Sequence, residues 1–188
     1  MKVLITGANG QLGHELVRAT VAAGHEVVAT SHETLDITDK LAVDAAITAA
    51  RPDVVIHAAA WTAVDACESD PDKAMLVNGT ATKYIVDAAH AVGAHVVYIS
   101  TDYVFDGNHF FPYKESDLVS PIGVYGETKR AGELAVINSV QQGLVAEMDM
   151  QGIYDLVGDR IRDLFDAQVT GIVIFNHGDK TEEFRYLF

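Results

Sequence analysis

The chain has 188 residues, of which 49% are hydrophobic, and its 27 acidic and 13 basic residues give a formal charge of −14. This length accommodates one domain, or one domain and part of another. The negative charge argues against nucleic acid and anionic membranes as partners. The N-terminus lacks the long apolar run of a signal peptide, and no run approaches the roughly 20 residues that span a bilayer. A single cysteine, Cys67, allows no disulfide within the chain. We therefore expect a cytoplasmic protein.

Strand and helix patterns alternate from the N-terminus to residue 136. In chain order, the sequence predicts strand 2–6, helix 11–23, strand 26–30, a very short strand 35–37, helix 38–50, strand 54–59, helix 72–92, strand 95–100 and helix 124–137. Near-continuous apolar strands separated by helices are typical of a parallel sheet that is covered on both faces. The predicted fold class is therefore α/β, with a Rossmann-like doubly wound parallel sheet.

Three glycines with the spacing Gly-x-x-Gly-x-x-Gly lie between the first predicted strand and the first helix. In this context Gly7 permits a tight turn, Gly10 lets the backbone approach a pyrophosphate, and Gly13 lets the helix pack on the sheet. The N-terminus of the helix would then offer N–H groups and a partial positive charge to phosphates. The pattern predicts a dinucleotide site, and its alternative is a glycine-rich turn without a ligand.

The residues after the second and fourth predicted strands bear on the same site. Thr30 stands where an acidic residue would bind the ribose of NAD, so nothing there repels a 2′-phosphate and NADPH is tolerated, although no arginine selects it. Asp36, in the short third strand, is placed either to meet the adenine or to cap the helix that begins near Thr38. Thr38 itself or Asp39 can also cap that helix. Trp61 either walls the cofactor pocket or belongs to the core.

Tyr125 and Lys129 lie four residues apart, so on a helix they share a face. A neighbouring ammonium lowers the pKa of a phenol from its usual value of about 10. The phenol is then a useful proton donor to a carbonyl that is being reduced, and the lysine can hydrogen-bond the nicotinamide ribose. Thr101, at the carboxyl edge of the sheet, can polarise the same carbonyl. These residues predict a nicotinamide-dependent reductase; the alternative is an ordinary pair on a helix surface.

Residues 1–136 resemble the amino-terminal part of the dTDP-4-dehydrorhamnose reductase family, which are extended short-chain dehydrogenases/reductases. The run Thr-Asp-Tyr-Val-Phe-Asp-Gly at 101–107 is far more specific to that family than the glycine loop. The other matching stretches are 6–13, 51–60, 62–65, 100 and 124–129 with Gly132-Glu133. An epimerase or dehydratase of the same superfamily is disfavoured by Thr101-Asp102-Tyr103.

The resemblance implies an oxidoreductase of nucleotide-sugar metabolism. The family reduces dTDP-4-dehydro-6-deoxy-L-mannose to dTDP-L-rhamnose, a precursor of bacterial surface polysaccharide, with NADPH or NADH. By resemblance, Tyr125 is the proton donor, Lys129 is its partner, and Thr101 and Asp102 contact the dTDP-sugar. Some members bind Mg²⁺ at a homodimer contact, where Glu15 matches one acidic position. The residues expected at the cofactor are Gly7, Gly10, Gln11, Leu12, Gly13, Thr30, Asp36, Ile37, Ala60, Trp61, Thr62, Tyr125 and Lys129.

Residues 137–188 depart from this pattern. The sequence predicts helices through residue 166, one of them capped by Asp149, and then a β-hairpin with strands 169–175 and 182–188 around a turn at 176–180. The tail resembles the opening of a GAF sensory domain. We expect an incomplete reductase domain at 1–136, lacking its substrate lobe, and a truncated GAF-like fragment at 137–188. In the alternative, the tail is a divergent reductase end whose strand 169–175 replaces the sixth strand of the sheet.

Two further functions follow from that tail as alternatives to a working reductase. One is a catalytically inactive dinucleotide-binding fusion protein, which binds the cofactor and turns nothing over. The other is a sensory or dimerising fusion in which the tail is the active part. These alternatives make different predictions, because only the reductase requires Tyr125 and only the dimerising fusion requires residues 137–188.

Overall fold

The computed structural model describes residues 1–114 and 116–139, and the backbone of two further strands at 171–176 and 181–187. The described residues between 1 and 139 form four strands and six α-helices, with one π-helical and one 3₁₀ segment. In chain order these are β1 (Lys2–Thr6), α1 (Gln11–Ala22), β2 (Glu26–Ala29), α2 (Lys40–Ala50), β3 (Val54–His57), α3 (Val64–Ser69), α4 (Pro71–Ala74), the π segment (Met75–Thr80), α5 (Ala81–Val92), β4 (His95–Tyr98), the 3₁₀ turn (Asp102–Val104) and α6 (Val124–Ser139). None of the described helices is long and apolar enough to cross a membrane.

The four strands form one parallel sheet in the order β2-β1-β3-β4. From β1 the chain first moves outward to β2 and then crosses back over β1 to β3. The strand order therefore reverses between β1 and β3, and in open α/β sheets ligands bind outside the carboxyl ends of the strands at such a point. The doubly wound sheet predicted from the sequence is confirmed, and its order defines where a site is expected.

Helices cover both faces of the sheet. Successive residues of a strand point to opposite sides, so neighbouring residues of β1 pack against different helices. Val3 and Ile5 of β1 pack with Leu16 of α1 on one face. Leu4, between them, packs on the other face with side chains of α2 and α5. The buried members of this second cluster are Leu4, Leu35, Ile37, Val43, Ile47, Val55, Ala81, Ile85, Ala88 and Ala89.

The predicted short strand 35–37 is wrong. Residues 31–39 form turns, in which the N–H of Leu35 donates to the carbonyl of Ser31 at 2.8 Å. The apolar side chains of Leu35 and Ile37 are buried beside α2 and α5 and do not belong to a sheet. Helix α2 begins later than predicted, and Asp39 caps it by accepting from the N–H of Leu41 at 2.9 Å and of Ala42 at 3.1 Å. The cap role considered for Asp36 is therefore also wrong.

The long helix predicted at 72–92 is confirmed, with an internal irregularity. It runs from Pro71 through the π segment to Val92 and ends at Gly93, whose φ of 76° is left-handed. The π segment buries Asn78 and Gly79 against α6. Such π turns often occur at functional sites. Neither this turn nor α3 was predicted from the sequence.

Two strands of the tail form an antiparallel hairpin, β5 (Gly171–Asn176) and β6 (Thr181–Leu187). The predicted pair of strands is confirmed. In the described part of the chain, β5 pairs with β6 in a separate two-stranded sheet. The alternative in which the strand at 169–175 replaces the sixth strand of the parallel sheet is therefore wrong for these residues. The predicted helices at 140–166, the Asp149 cap and residues 177–180 of the predicted turn lie outside the described residues. The GAF resemblance and the boundary at 136 stay predictions.

Candidate active site

The turn between β1 and α1 is packed so closely that two of its glycines cannot carry a side chain. Gly7 has a φ of 69°, and a Cβ there would lie 2.8 Å from the Cα of Ala59. A Cβ on Gly13 would lie 2.7 Å from the Cα of Ala8. Real Cβ atoms essentially never approach so closely. The loop is therefore pressed between the end of β3 and the first turn of α1, as the glycine spacing predicted.

Helix α1 starts at this loop with an uncapped N-terminus. Gly10 is the N-cap residue, it offers no side-chain cap, and the first turn contains no acidic side chain. The first N–H groups of a helix have no intrahelical acceptor and carry a partial positive charge. The exposed start of α1 is consequently suited to an anionic group, and phosphates are the usual ligands of such a turn.

A groove of about 400 Å³ runs along the carboxyl edge of the sheet past this turn. Of the residues predicted for the cofactor, Gly7, Gly10, Asp36, Ile37, Ala60 and Trp61 line it. The rest of the lining is Asn9, Ser31, His32, Leu35, Thr38, Ala58, Ala59, Lys73 and Val77. Four segments that are far apart in sequence thus share one groove: the glycine loop, the turns after β2, the loop after β3, and the stretch from α4 into the π segment.

Other residues predicted for the cofactor do not line this groove. Leu12, on α1, packs against the core, and the hydroxyl of Thr30 donates to the carbonyl of Ile5 at 3.3 Å. Gly13 supports the loop from behind, while Gln11 is exposed at the start of α1. Thr62 is exposed just after Trp61.

Tyr125 lies in a small buried cluster with Cys67 and Ala74, and only 8% of its surface is exposed. Its ring meets that of Tyr103 edge to face at a centroid distance of 5.5 Å. Burial raises the pKa of Tyr125, whereas the side chain of Thr101 acts in the opposite direction. The lowered pKa predicted for this phenol is therefore wrong.

The position of Lys129 explains that error. Its side chain is buried, its Nζ donates to the carbonyl of Ile99, and the ammonium lies over the ring of Tyr98. The ammonium is thus directed at β4 and not at the phenol of Tyr125. Burial lowers the pKa of Lys129 to about 7, and the charge of Glu133 opposes that shift.

Thr101 follows β4 and begins the 3₁₀ turn. Its hydroxyl accepts from the N–H of Tyr103 at 3.2 Å and donates to Asp102 at 3.3 Å. Asp102 is exposed. Because α6 packs against this turn, the hydroxyl of Thr101 and the phenol of Tyr125 lie at the same edge of the sheet.

The sequence of the chain matches a known family over most of its length. The family model described as the RmlD substrate binding domain matches residues 1–155. The chain belongs to the RmlD substrate binding domain family.

Individual relatives agree with this assignment. The dTDP-4-dehydrorhamnose reductase of Streptomyces griseus is 49% identical over 134 residues, which are 71% of this chain and 44% of that protein. The crystal structure of a dTDP-4-dehydrorhamnose reductase from Clostridium acetobutylicum superposes with a TM-score of 0.72 at 48% identity, over 73% of this chain and 49% of that one. A Bacillus anthracis dTDP-4-dehydrorhamnose reductase in complex with NADP gives a TM-score of 0.71 at 39% identity, over 73% and 49%. The chain spans about half the length of the curated relatives it matches.

Asn78 is a residue at the candidate site of this RmlD-family chain that the sequence analysis missed. Only 1% of its surface is exposed. Its Oδ1 accepts from the N–H of Trp61 at 2.8 Å, and its Nδ2 donates to the Trp61 carbonyl at 3.1 Å and to Thr128 at 3.3 Å. Asn78 therefore joins the groove wall to the helix that carries Tyr125. The available signal was an asparagine within an apolar run of a helix, since a buried amide is usually hydrogen-bonded.

Lys73 is a second such residue. Its Nζ lies 4.3 Å from the centroid of the Trp61 ring, in a cation–π contact, and Lys73 lines the groove. Trp61 was left open between pocket wall and core; it lines the groove and is also packed, half-buried, against the Tyr125 cluster. Lys73 brings to the groove a positively charged side chain that was not predicted from the sequence.

The magnesium site suggested by the resemblance is not formed by the described residues alone. They contain no group of three or more His, Cys, Asp or Glu side chains arranged to hold a metal ion. Glu15 instead forms an ion pair with Arg18. Mg²⁺ binding and a homodimer stay predictions.

His57 on β3 is a buried residue beneath the site. Its Nδ1 hydrogen-bonds the hydroxyl of Thr6 at 2.7 Å, and its Nε2 that of Thr82 at 3.2 Å. These contacts are those of a satisfied core histidine. Burial, and then the charge of Lys129, lowers the pKa of His57 to about 3.

His57 is expected to make the protein less stable in acid. Between its unfolded pKa of about 6.5 and its folded pKa of about 3, the unfolded state binds more protons, so the free energy of unfolding falls as the pH falls. The expected loss is about 2.5 kcal/mol between pH 6 and pH 4. Urea unfolding of the wild type and His57→Gln at several pH values measures it. The free energy of unfolding of His57→Gln should fall less over this range, and that of the exposed His14→Gln should fall as in the wild type. Parallel plots of this free energy against pH for all three proteins would contradict the prediction.

Proposed function

We propose that this chain binds NADPH in the groove along the carboxyl edge of its sheet. The observation that carries the proposal is the cradle at the β1–α1 turn, where Gly7 and Gly13 leave no room for a Cβ and α1 begins without a capping side chain. Such a cradle fits a pyrophosphate. The relative from Bacillus anthracis that is described as an NADP complex supports the same cofactor. When bound, the cofactor supplies a hydride to a carbonyl carbon.

The proposed binding residues are those predicted from the sequence, with additions from the groove. Asp36 and Ile37 would line the adenine end, and Ala60, Trp61 and Thr62 would follow the cofactor toward the nicotinamide. Thr30 places no carboxylate near the ribose, so the 2′-phosphate of NADPH is accepted. Lys73, which lines the groove, adds an attractive charge for a phosphorylated ligand.

Three residues form the proposed reduction centre. Burial keeps the phenol of Tyr125 protonated at neutral pH, so its Oη has a proton to give to the carbonyl oxygen of the substrate. The hydroxyl of Thr101, on the turn that α6 packs against, would hydrogen-bond the same oxygen. Lys129 is held at the adjoining end of β4, where its Nζ would hydrogen-bond the nicotinamide ribose.

The proposed substrate is a dTDP-linked 4-keto sugar. Relatives that are 40–49% identical to this chain are described as dTDP-4-dehydrorhamnose reductases. We infer that the reaction is the reduction of dTDP-4-dehydro-6-deoxy-L-mannose to dTDP-L-rhamnose, with Thr101 and the exposed Asp102 contacting the sugar nucleotide. Since the chain spans about half the length of these relatives, this activity needs a direct test.

The test combines NADPH binding, followed by the fluorescence of the nicotinamide, with NADPH oxidation in the presence of the dTDP-keto sugar. The proposal predicts saturable binding and substrate-dependent oxidation. Binding without oxidation would favour the catalytically inactive dinucleotide-binding alternative. Absence of both would overturn the proposal. A parallel titration with NADH measures the preference between the two cofactors.

A further inference from the structure

The Lys129 ammonium rests on the face of an aromatic ring in the protein interior. Its Nζ lies 4.0 Å from the centroid of the Tyr98 ring, and Lys129 and Tyr98 are only 3% and 9% exposed. A cation over an aromatic face is attracted by the ring, more strongly when both are removed from water. The carbonyl of Ile99, the next residue on the chain, accepts from the same Nζ. Adjacent residues at the end of β4 therefore hold the ammonium.

Tyr98 is itself held in place from several directions. Its hydroxyl lies 3.4 Å from the carbonyls of both Asn78 and Lys129. The ring of His57 stacks on it at a centroid distance of 5.7 Å. In α6, Gly132 leaves the space that the phenol occupies, since a Cβ there would lie 2.8 Å from Cζ of Tyr98. Glycine is disfavoured inside a helix, so this residue indicates close packing around the phenol.

The charged groups near Lys129 do not by themselves account for the stabilisation of its ammonium, so the Tyr98 ring contributes to it. On α6, Glu133 favours the ammonium, but its carboxylate also accepts from Ser100 and pairs with Arg130 at 2.7 Å. On β3, His57 is neutral near pH 7 and adds no second positive charge. Burial keeps Tyr98 and Tyr125 uncharged.

We propose that Tyr98 is a positioning residue, which holds the Lys129 ammonium on its ring face and thereby fixes the direction from which the lysine reaches the proposed cofactor site. Its effect on cofactor binding rests on the proposed function, whereas the contact between the two side chains does not. This role could not be predicted from the sequence, because Tyr98 is the last residue of an apolar strand, a position typical of an ordinary core residue.

The test is a pH titration of the Lys129 side chain by NMR in the full chain with isotope-labelled lysine, assigned with Lys129→Arg. Tyr98→Phe keeps the ring and should titrate as wild type. Tyr98→Leu removes the ring and should lower the titration midpoint by about 0.5–1 pH unit, because the ammonium loses its cation–π partner. Tyr84→Leu, which makes the same change on a half-buried tyrosine of α5, is the control and should not move it.

An unchanged midpoint in Tyr98→Leu would overturn the proposal. If that variant fails to fold, fluorinated phenylalanines at position 98 decide instead, because fluorine withdraws charge from the ring face with little change of shape. A midpoint that falls with each added fluorine supports the proposal, and a constant midpoint overturns it. NADPH binding is measured on the same proteins, and Tyr98→Leu should bind about tenfold more weakly than Tyr98→Phe. If the wild type does not bind NADPH, the proposed function is overturned. The titration of Lys129 would still decide whether Tyr98 holds the ammonium.

Discussion

Replacing Tyr125 with phenylalanine is expected to lower the kcat of NADPH-dependent reduction by about 10²–10⁴-fold, the usual contribution of a positioned acid. The variant keeps the ring that packs against Cys67 and Tyr103 but loses the Oη that carries the proton. NADPH affinity and the free energy of unfolding should stay close to those of the wild type. Initial rates with the dTDP-keto sugar, a fluorescence titration and urea unfolding measure the three quantities.

Tyr103→Phe is the matched control for this variant. Tyr103 lies against Tyr125 but is 51% exposed, and its phenol has no part in the proposed proton transfer. The control should retain most of the activity. Full activity in Tyr125→Phe would remove this residue as the proton donor. Equal losses in both variants would point instead to a disturbed aromatic contact.

Replacing Gly13 with alanine is expected to destabilise the protein by about 3 kcal/mol, at the upper end of the usual cost of overpacking. The added Cβ would lie 2.7 Å from the Cα of Ala8 and close to the carbonyl of Gly7, both of which are backbone atoms. The turn must therefore move away from α1. Since that turn forms the proposed phosphate cradle, NADPH should bind at least about tenfold more weakly, which corresponds to about 1.4 kcal/mol. Thermal unfolding and fluorescence titration measure the two effects.

Gly79→Ala makes the same change at another buried glycine and serves as the control. The nearest atom to a Cβ at position 79 is the sulfur of Met75, at 2.6 Å, which is the far end of a flexible and partly exposed side chain. That side chain can move, so both stability and NADPH affinity should change much less than in Gly13→Ala. Wild-type affinity in a folded Gly13→Ala protein would contradict the proposed place of the cofactor.

The glycine loop shows what could be predicted of the site from local sequence. A tight turn from a strand into a helix needs glycine for reasons that operate within a few residues, so the spacing was sufficient to place the loop. The pairing of Tyr125 with Lys129 shows the limit of that approach. Their separation placed both on α6, but the direction of the lysine side chain depends on β4, about 30 residues earlier in the chain.

The segment at 35–37 and the residue Asn78 show the same limit in the fold. An alternation of apolar and polar residues is common to a strand and to a turn whose apolar side chains reach the core, so Leu35 and Ile37 were predicted as a strand. Only the neighbouring helices distinguish the two. Asn78 was missed because its partners, Trp61 and Thr128, come from elements on both sides of it in sequence.

The sequence by itself determined the four strands of the parallel sheet and most of the helices around them, the family, the glycine turn and the residue types available for proton transfer, because each depends on patterns local to one segment. The tertiary structure alone decided that the Lys129 ammonium rests on Tyr98 and Ile99, that burial raises the pKa of Tyr125, that Lys73 lines the groove, and that Asn78 joins the groove wall to α6. The physical reason is that desolvation and ion–ring contacts depend on which atoms surround a group. Those atoms come from β3, β4, the π segment and α6, which only the packing of the sheet and its helices brings together.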